Sequence, residues 1–325
     1  MMRLENLSAR YDILTGYVNA VDNVDFTIED DEIFGIAGES GCGKSTLLKL
    51  MYDLLQYPLE ITGGRIVLHA KDEKGGELQF ASGDIRSRWW KDISYVPQGA
   101  MHVLNPVLKV DVQFMDAVAK YRPGTGKKEL RREIVEYLKQ LDLPAEAMDA
   151  YPHQLSGGMK QRILIALATF LAPSIVLADE PTTALDVVVQ RGILGMLTRV
   201  QKANRNSVVI VSHDMGVHYQ ITKRLGIMYA GQMIEIGKTE TMFENPAHPY
   251  TKMLISALPR IGDISQKEGI PGTPPSLKNP PPGCRFAARC PEATARCREE
   301  QPCTVDLGDG HKASCHLLAG KGEQA

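Results

Sequence analysis

The sequence predicts an α/β fold built on a parallel sheet, with an antiparallel β subdomain, an inserted helical subdomain and a small cysteine-rich C-terminal extension. Three observations carry this expectation. A glycine-rich stretch, Gly38-Glu-Ser-Gly-Cys-Gly-Lys44-Ser45, stands between a short apolar run and a helical segment. Two further continuous apolar runs, Ile175-Val-Leu-Ala178 and Val208-Val-Ile-Val211, flank a helix starting near Asp186, a βαβ rhythm that buries both faces of a parallel sheet. Five of the 6 cysteines (Cys284, Cys290, Cys297, Cys303 and Cys315) follow a run of prolines near the C-terminus.

The elements follow in order. Residues 2–9 and 22–28 alternate enough to be antiparallel strands, and Ile33-Phe-Gly-Ile-Ala37 is a buried strand. Ser45-Thr-Leu-Leu-Lys-Leu-Met51 reads as the helix after the glycine-rich loop, and Arg65-Ile-Val-Leu-His-Ala70 as another strand. Residues 107–169 turn helical, most clearly at Lys128-Glu-Leu-Arg-Arg-Glu-Ile-Val-Glu-Tyr-Leu. Residues 224–237 read as a hairpin turning near Ala230-Gly231. Prolines then crowd residues 271–282, a stiff extended connector with the cysteine tail beyond it. The expected domains are 1–245, with the helical subdomain inserted, and a C-terminal extension over 246–325.

Composition narrows the setting. Of 325 residues, 43% are hydrophobic and 23% charged, ordinary for a soluble globular chain. A net charge of −2 gives no field that argues for nucleic acid. The start, Met1-Met-Arg-Leu-Glu-Asn, has charges where a signal peptide needs an apolar core, and no apolar run approaches membrane-spanning length. The expectation is a cytosolic protein that reaches a membrane only through a partner.

The loop matches G-x-x-x-x-G-K-[ST]. Glycines let the backbone curl until its N–H groups and the helix N-terminus converge on phosphate oxygens. Gly38, Ser40, Gly41, Cys42, Gly43 and Thr46 would form the cradle. Lys44 would reach the β- and γ-phosphates, and the Ser45 hydroxyl would ligate Mg²⁺.

Further along stand Gln154-Leu-Ser-Gly-Gly-Met-Lys-Gln-Arg162, Ile175-Val-Leu-Ala-Asp-Glu180-Pro-Thr-Thr-Ala-Leu-Asp186 and Val211-Ser-His213-Asp. With the phosphate loop, and in this order, they resemble the ATP-binding subunits of ABC transporters over residues 1–245. The resemblance implies a P-loop NTPase that sandwiches each MgATP between two subunits packed head to tail. It implies that Asp179 holds Mg²⁺ through its water shell and that Glu180 orients or deprotonates the attacking water. Gln98, in Ser94-Tyr-Val-Pro-Gln98, would complete the Mg²⁺ and water contacts, and His213 would contact the γ-phosphate. Ser156, Gly157 and Gly158 would serve the γ-phosphate of the partner's ATP. Tyr11 sits where the family places an aromatic that stacks on adenine, with Tyr17 as its rival. Met101, Val103 and Leu104 fit a surface where a membrane subunit would dock.

A second resemblance covers residues 245–317. His248-Pro-Tyr-Thr-Lys-Met-Leu-Ile-Ser-Ala-Leu-Pro259, Ile270-Pro-Gly-Thr-Pro-Pro275 and Gly283-Cys-Arg-Phe-Ala-Ala-Arg-Cys-Pro resemble the ATPases of oligopeptide and dipeptide importers, whose relatives also import nickel or oligosaccharides. It implies a second ATPase subunit, two transmembrane permease subunits, a solute-binding protein acting indirectly, and a place on the cytoplasmic face of the membrane. A reducing compartment disfavours disulfides among the tail cysteines, and gathered thiolates suit an iron–sulfur cluster or zinc. The resembled importers carry a four-iron cluster (4Fe-4S) with ligands matching Cys284, Cys290, Cys297 and Cys315. Cys303 is extra to that pattern and could be a spare thiol or swap with Cys315, and His311 and His316 could complete a zinc site instead. A tail so short and proline-rich is expected to bury little apolar surface, so that metal would replace a core.

Overall fold

The computed structural model describes residues 1–71, 76–99, 103–258 and 269–319. In chain order the strands and helices begin with β1 (Met2–Ile13), β2 (Gly16–Ile28), β3 (Ile33–Ala37), α1 (Lys44–Met51), β4 (Leu59–Lys71), β5 (Glu77–Ala81) and β6 (Ile93–Val96). The middle of the chain gives α2 (Val110–Ala119), α3 (Lys127–Gln140), α4 (Gly157–Thr169), β7 (Ile175–Asp179), α5 (Val187–Asn204) and β8 (Ser207–Val211). Then come α6 (Met215–Ile221), β9 (Arg224–Tyr229), β10 (Gln232–Lys238), α7 (Thr239–Glu244), α8 (Pro249–Ser256), α9 (Ala295–Glu299), β11 (Thr304–Asp306) and β12 (Lys312–Ser314).

The chain divides into two compact units. The first comprises Met1, Glu29–Ile33 and His69–Ile210. In it β8, β7 and β6 lie side by side, with β6 and β7 parallel and Tyr95 paired with Leu177. Every residue of β7 and β8 is buried, as parallel strands covered on both faces require. The expected helical stretch resolves into α2, α3 and α4. On α3 the buried residues are Leu130, Ile134 and Leu138, one stripe at helical spacing. Phe170 meets Phe114 and Tyr137 edge-on at 6.0 and 5.6 Å.

The second unit comprises Met2–Ile28, Phe34–Leu68 and Val211–Ala325. β1 lies between β2 and β4, antiparallel to both, which is the expected antiparallel subdomain. β3 pairs parallel with β9, and β9 turns back antiparallel into β10. The turn falls at Ala230 and Gly231, with φ of 46° and 87°, the two positive values that a tight hairpin turn needs.

The tail departs from expectation. Instead of hanging beyond a connector, it adds β12 and then β11 to the edge of β10, with Glu235 opposite Ala313. It also contributes a core. Phe286 is 1% exposed and packs edge-on against Tyr229 and Tyr250 at 5.3 and 5.4 Å. Burying one such ring is worth roughly 2 kcal/mol, so the segment docks by apolar burial and does not depend on metal alone.

Two histidines of this unit are buried uncharged. Burial holds both His218 and His248 down to about 4, from an ordinary 6.5. A folded value below the unfolded one stabilises the protein above pH 6.5, and that stability drains away as pH falls toward 4. By pH 5 the loss is about 2 kcal/mol per histidine, and Tm should drop by roughly 5–10 °C between pH 7.5 and 5. Thermal melts across that range check this, and a flat Tm would refute it.

Candidate functional site

The phosphate loop lies on the second unit, between β3 and α1. Gly38, Gly41 and Gly43 have φ of 150°, 79° and 107°, so the backbone curls where side chains rarely allow it. Buried Lys44 turns its Nζ back to donate to the carbonyls of Gly38 and Glu39 at 2.8 and 2.9 Å. No side chain caps α1 at Gly43, the arrangement that lets first-turn N–H groups meet an anion. Cys42 is buried with its Sγ 3.7 Å from Lys44 Nζ, and burial pushes its thiol up. Ser40 and Gly41 are exposed at the loop's outer turn. The Tyr11 hydroxyl lies 3.1 Å from Thr46 Oγ1, which puts Tyr11 at the loop–helix junction. Tyr17 is exposed and lies under the Arg10 guanidinium, 3.6 Å from its ring centre. One cation, a glycine-curled backbone, the hydroxyl-bearing Ser45 and Thr46 and an uncapped helix start together fit a polyphosphate with its metal.

His213 is exposed on the same unit, between β8 and α6. Ser212 Oγ accepts from the Asp214 N–H at 3.0 Å, and the Asp214 carboxylate accepts from the Gly216 N–H at 2.8 Å. These two turns fix the backbone on which the imidazole is carried.

The first unit carries the acidic residues. Asp179 ends β7, is buried, and accepts from the Tyr95 hydroxyl at 3.0 Å. Tyr95 lies on β6, the parallel neighbour, so both stand near the carboxyl ends of adjacent strands, where open α/β sheets place their chemistry. Glu180 follows with φ of 46°, a conformation rare for a non-glycine residue. Its Oε2 accepts from Thr183 Oγ1 at 2.6 Å and from Gln98 Nε2 at 3.3 Å. Gln98 and Glu180 are thus brought together.

Ser156 caps α4, its Oγ accepting from the Met159 N–H at 3.3 Å, so Gly157 and Gly158 form the first turn of a helix. A Cβ on Gly158 would lie 2.6 Å from Val189 Cγ1, so this glycine also serves the close approach of α4 and α5. Of the expected docking face, Val103 is 46% exposed, Leu104 is buried by local packing at 4%, and Met101 lies outside the described residues.

The tail cysteines are all free thiols. Cys284, Cys290, Cys297 and Cys315 line one small cavity, while Cys303 is exposed and does not. Among the described residues no three His, Cys, Asp or Glu side chains are grouped so as to hold a metal ion. The cluster expectation therefore has no ion-binding geometry behind it, only the convergence of four thiols. Burial first, then the neighbouring thiols, pushes Cys284 up to about 11, a cost that ligation by metal would remove. The zinc alternative loses His311, whose Nε2 bonds the buried Glu235 at 2.8 Å, away from that cavity. His316 does line it, with Nε2 3.0 Å from the Glu300 carbonyl.

Sequence reasoning passed over Tyr95 and Thr183, which hold Asp179 and Glu180, and over Glu39 and Arg289. Tyr95 and Thr183 sit three positions from Gln98 and Glu180, a proximity that offered a signal. Nothing in the sequence pairs Glu39 with Arg289.

Comparison with known proteins places these features in one family. A model described as "ABC transporter" matches residues 21–183, and one described as "Oligopeptide/dipeptide transporter, C-terminal region" matches residues 234–297. The chain is 40% identical to the dipeptide transport ATP-binding protein DppD of Bacillus subtilis, over 100% of this chain and 97% of that protein. It is 35% identical to the Escherichia coli protein of that name, over 97% and 96%. The solved ATP-binding cassette MJ0796, a dimer in a post-hydrolysis state bound to ADP and Pi, superposes with a TM-score of 0.63 at 28% identity, covering 74% of this chain and 99% of that one. With its phosphate loop, acidic strand end and C-terminal region all matched, the chain belongs to the ATP-binding proteins of the ABC transporter family, in the oligopeptide/dipeptide branch.

Proposed function

We propose that this chain is the ATP-hydrolysing subunit of an importer of peptides. The observation that carries the peptide reading is the match of its C-terminal region to that of oligopeptide and dipeptide transporters. Among the described residues no helix is long and apolar enough to cross a membrane. The work of ATP is therefore passed to two permease subunits, at the cytoplasmic face, with a solute-binding protein delivering the peptide. The active form pairs two ATPase subunits, as the similar cassette does.

Lys44 and the loop N–H groups neutralise and orient the β- and γ-phosphates, and Tyr11 stacks on the adenine. Mg²⁺, when bound, would supply further charge neutralisation, and the resemblance to ABC ATPases gives Ser45, Gln98 and Asp179 as the residues that would hold it. Glu180 takes the proton of the attacking water, Gln98 orients that water, and His213 contacts the γ-phosphate. Ser156, Gly157 and Gly158 close on the ATP of the partner subunit, so turnover depends on pairing. Such catalysis is positioning and electrostatics, with little covalent work for the protein.

Purified with its permease subunits in proteoliposomes, the ATPase should be stimulated by a peptide-loaded binding protein. Stimulation by nickel or an oligosaccharide instead would reassign the solute, and stimulation by nucleic acid without permeases would overturn transport.

The tail cavity is proposed to hold a four-iron cluster at Cys284, Cys290, Cys297 and Cys315. Its support is that these four thiols share one cavity and Cys303 does not. Anaerobically purified protein should contain iron and acid-labile sulfide in equal amounts. Zinc without sulfide would replace the cluster, and absence of all three would remove it.

A further inference from the structure

Two buried arginines, each next to a cavity thiol, fasten the cysteine segment to its unit, and one of them, Arg289, reaches the phosphate loop. Arg285, after Cys284, donates to Asp22 and to the Ala230 carbonyl. The neighbouring Gly231 N–H donates to the Cys42 carbonyl inside the loop at 2.8 Å. Arg289, before Cys290, is 4% exposed and makes a two-pronged pair with Glu39, Nη1 to Oε2 at 2.7 Å and Nη2 to Oε1 at 2.8 Å. The rest of its guanidinium is satisfied by Tyr229 Oη at 3.2 Å and by the carbonyls of Pro271 and Ile270 at 2.8 and 3.2 Å. Glu39 is the second residue of the loop. Its carbonyl accepts from Lys44, and its N–H donates to Tyr250 Oη at 3.1 Å.

A carboxylate at this position is a liability for a loop that must accept a polyanion. The planar fork of Arg289 matches it in geometry and offsets its charge from the buried side, the Glu39 side chain itself being 27% exposed. We propose that Arg289 is a positioning residue for ATP binding: it anchors and neutralises Glu39, so that the phosphate loop's affinity depends on the docked cysteine segment. This rests on the ATP reading of the loop. The coupling runs through one unit, by side chains far apart in sequence but in direct contact.

The test is nucleotide titration of the full chain with ATP and ADP. Arg289→Gln should weaken ATP by about tenfold and ADP by less, because an uncompensated carboxylate repels the more highly charged ligand more. Adding Glu39→Gln to that variant should restore most of the ATP affinity. Glu39→Gln alone keeps an acceptor for Arg289 and leaves its charge unbalanced, so ATP should bind about two- to threefold more tightly. That variant decides the matter if Arg289→Gln does not fold. Equal losses for ATP and ADP without rescue would mean a merely structural contact and overturn the proposal, as would weaker ATP binding by Glu39→Gln. Wild-type protein that fails to bind ATP would instead refute the reading of the loop.

Discussion

Glu180→Gln is expected to lower ATP turnover by about 10³-fold while leaving ATP bound, because glutamine keeps the size and polarity of the side chain but cannot take a proton. The surroundings favour a clean result. Thr183 and Gln98 both donate to Oε2, and the amide oxygen of glutamine can accept from either. The unusual φ of 46° belongs to the backbone and is held by the turn in which the Thr183 N–H donates to the Glu180 carbonyl. The variant should therefore fold, bind MgATP and accumulate as an ATP-bound dimer, seen by size exclusion with nucleotide present. Turnover within tenfold of wild type would remove Glu180 from the chemistry. Thr183→Ala should slow turnover by no more than about tenfold, since it loosens the carboxylate without removing it.

The second large effect is expected at Gly43. A Cβ there would lie 2.2 Å from the Ala20 carbonyl oxygen and 2.8 Å from Met228 Cε, with φ at 107°. The first neighbour is backbone in β2, so the loop itself must shift. Gly43→Ala should weaken ATP binding by about a hundredfold, from roughly 1–3 kcal/mol of backbone strain plus the displaced N–H groups. Gly41→Ala is the control. It also has positive φ, 79°, but nothing lies within 4 Å of its Cβ, so it carries only the local cost of about 1–2 kcal/mol. Equal binding by the two variants would show that the approach of Ala20 does not shape the loop.

Much of the nucleotide machinery was legible because its parts are local. Gly38, Gly41 and Gly43 mark a curled turn by residue type alone, and the hairpin at Ala230-Gly231 declares itself by flanking apolar runs. Strand β6 was not legible as such. Ile93–Val96 is short, and only its pairing with β7 makes it a strand and points Tyr95 at Asp179. β11 and β12 are three residues each, too short to show a period, and they exist by leaning on β10.

The groups proposed for phosphoryl transfer could be picked out from residue type and spacing, because the interval between a turn, a cation and a hydroxyl is readable without knowledge of the fold. The set Cys284, Cys290, Cys297 and Cys315 came only from the resemblance to peptide-importer ATPases, to which Cys303 is extra. That those four thiols share a cavity, that Phe286 roots their segment in an aromatic core, and that Arg289 meets Glu39 emerges from the folded chain alone. Distance along the chain explains why. Glu39 and Arg289 are 250 residues apart, and a contact of that span depends on every intervening turn and packing choice, which no local pattern records.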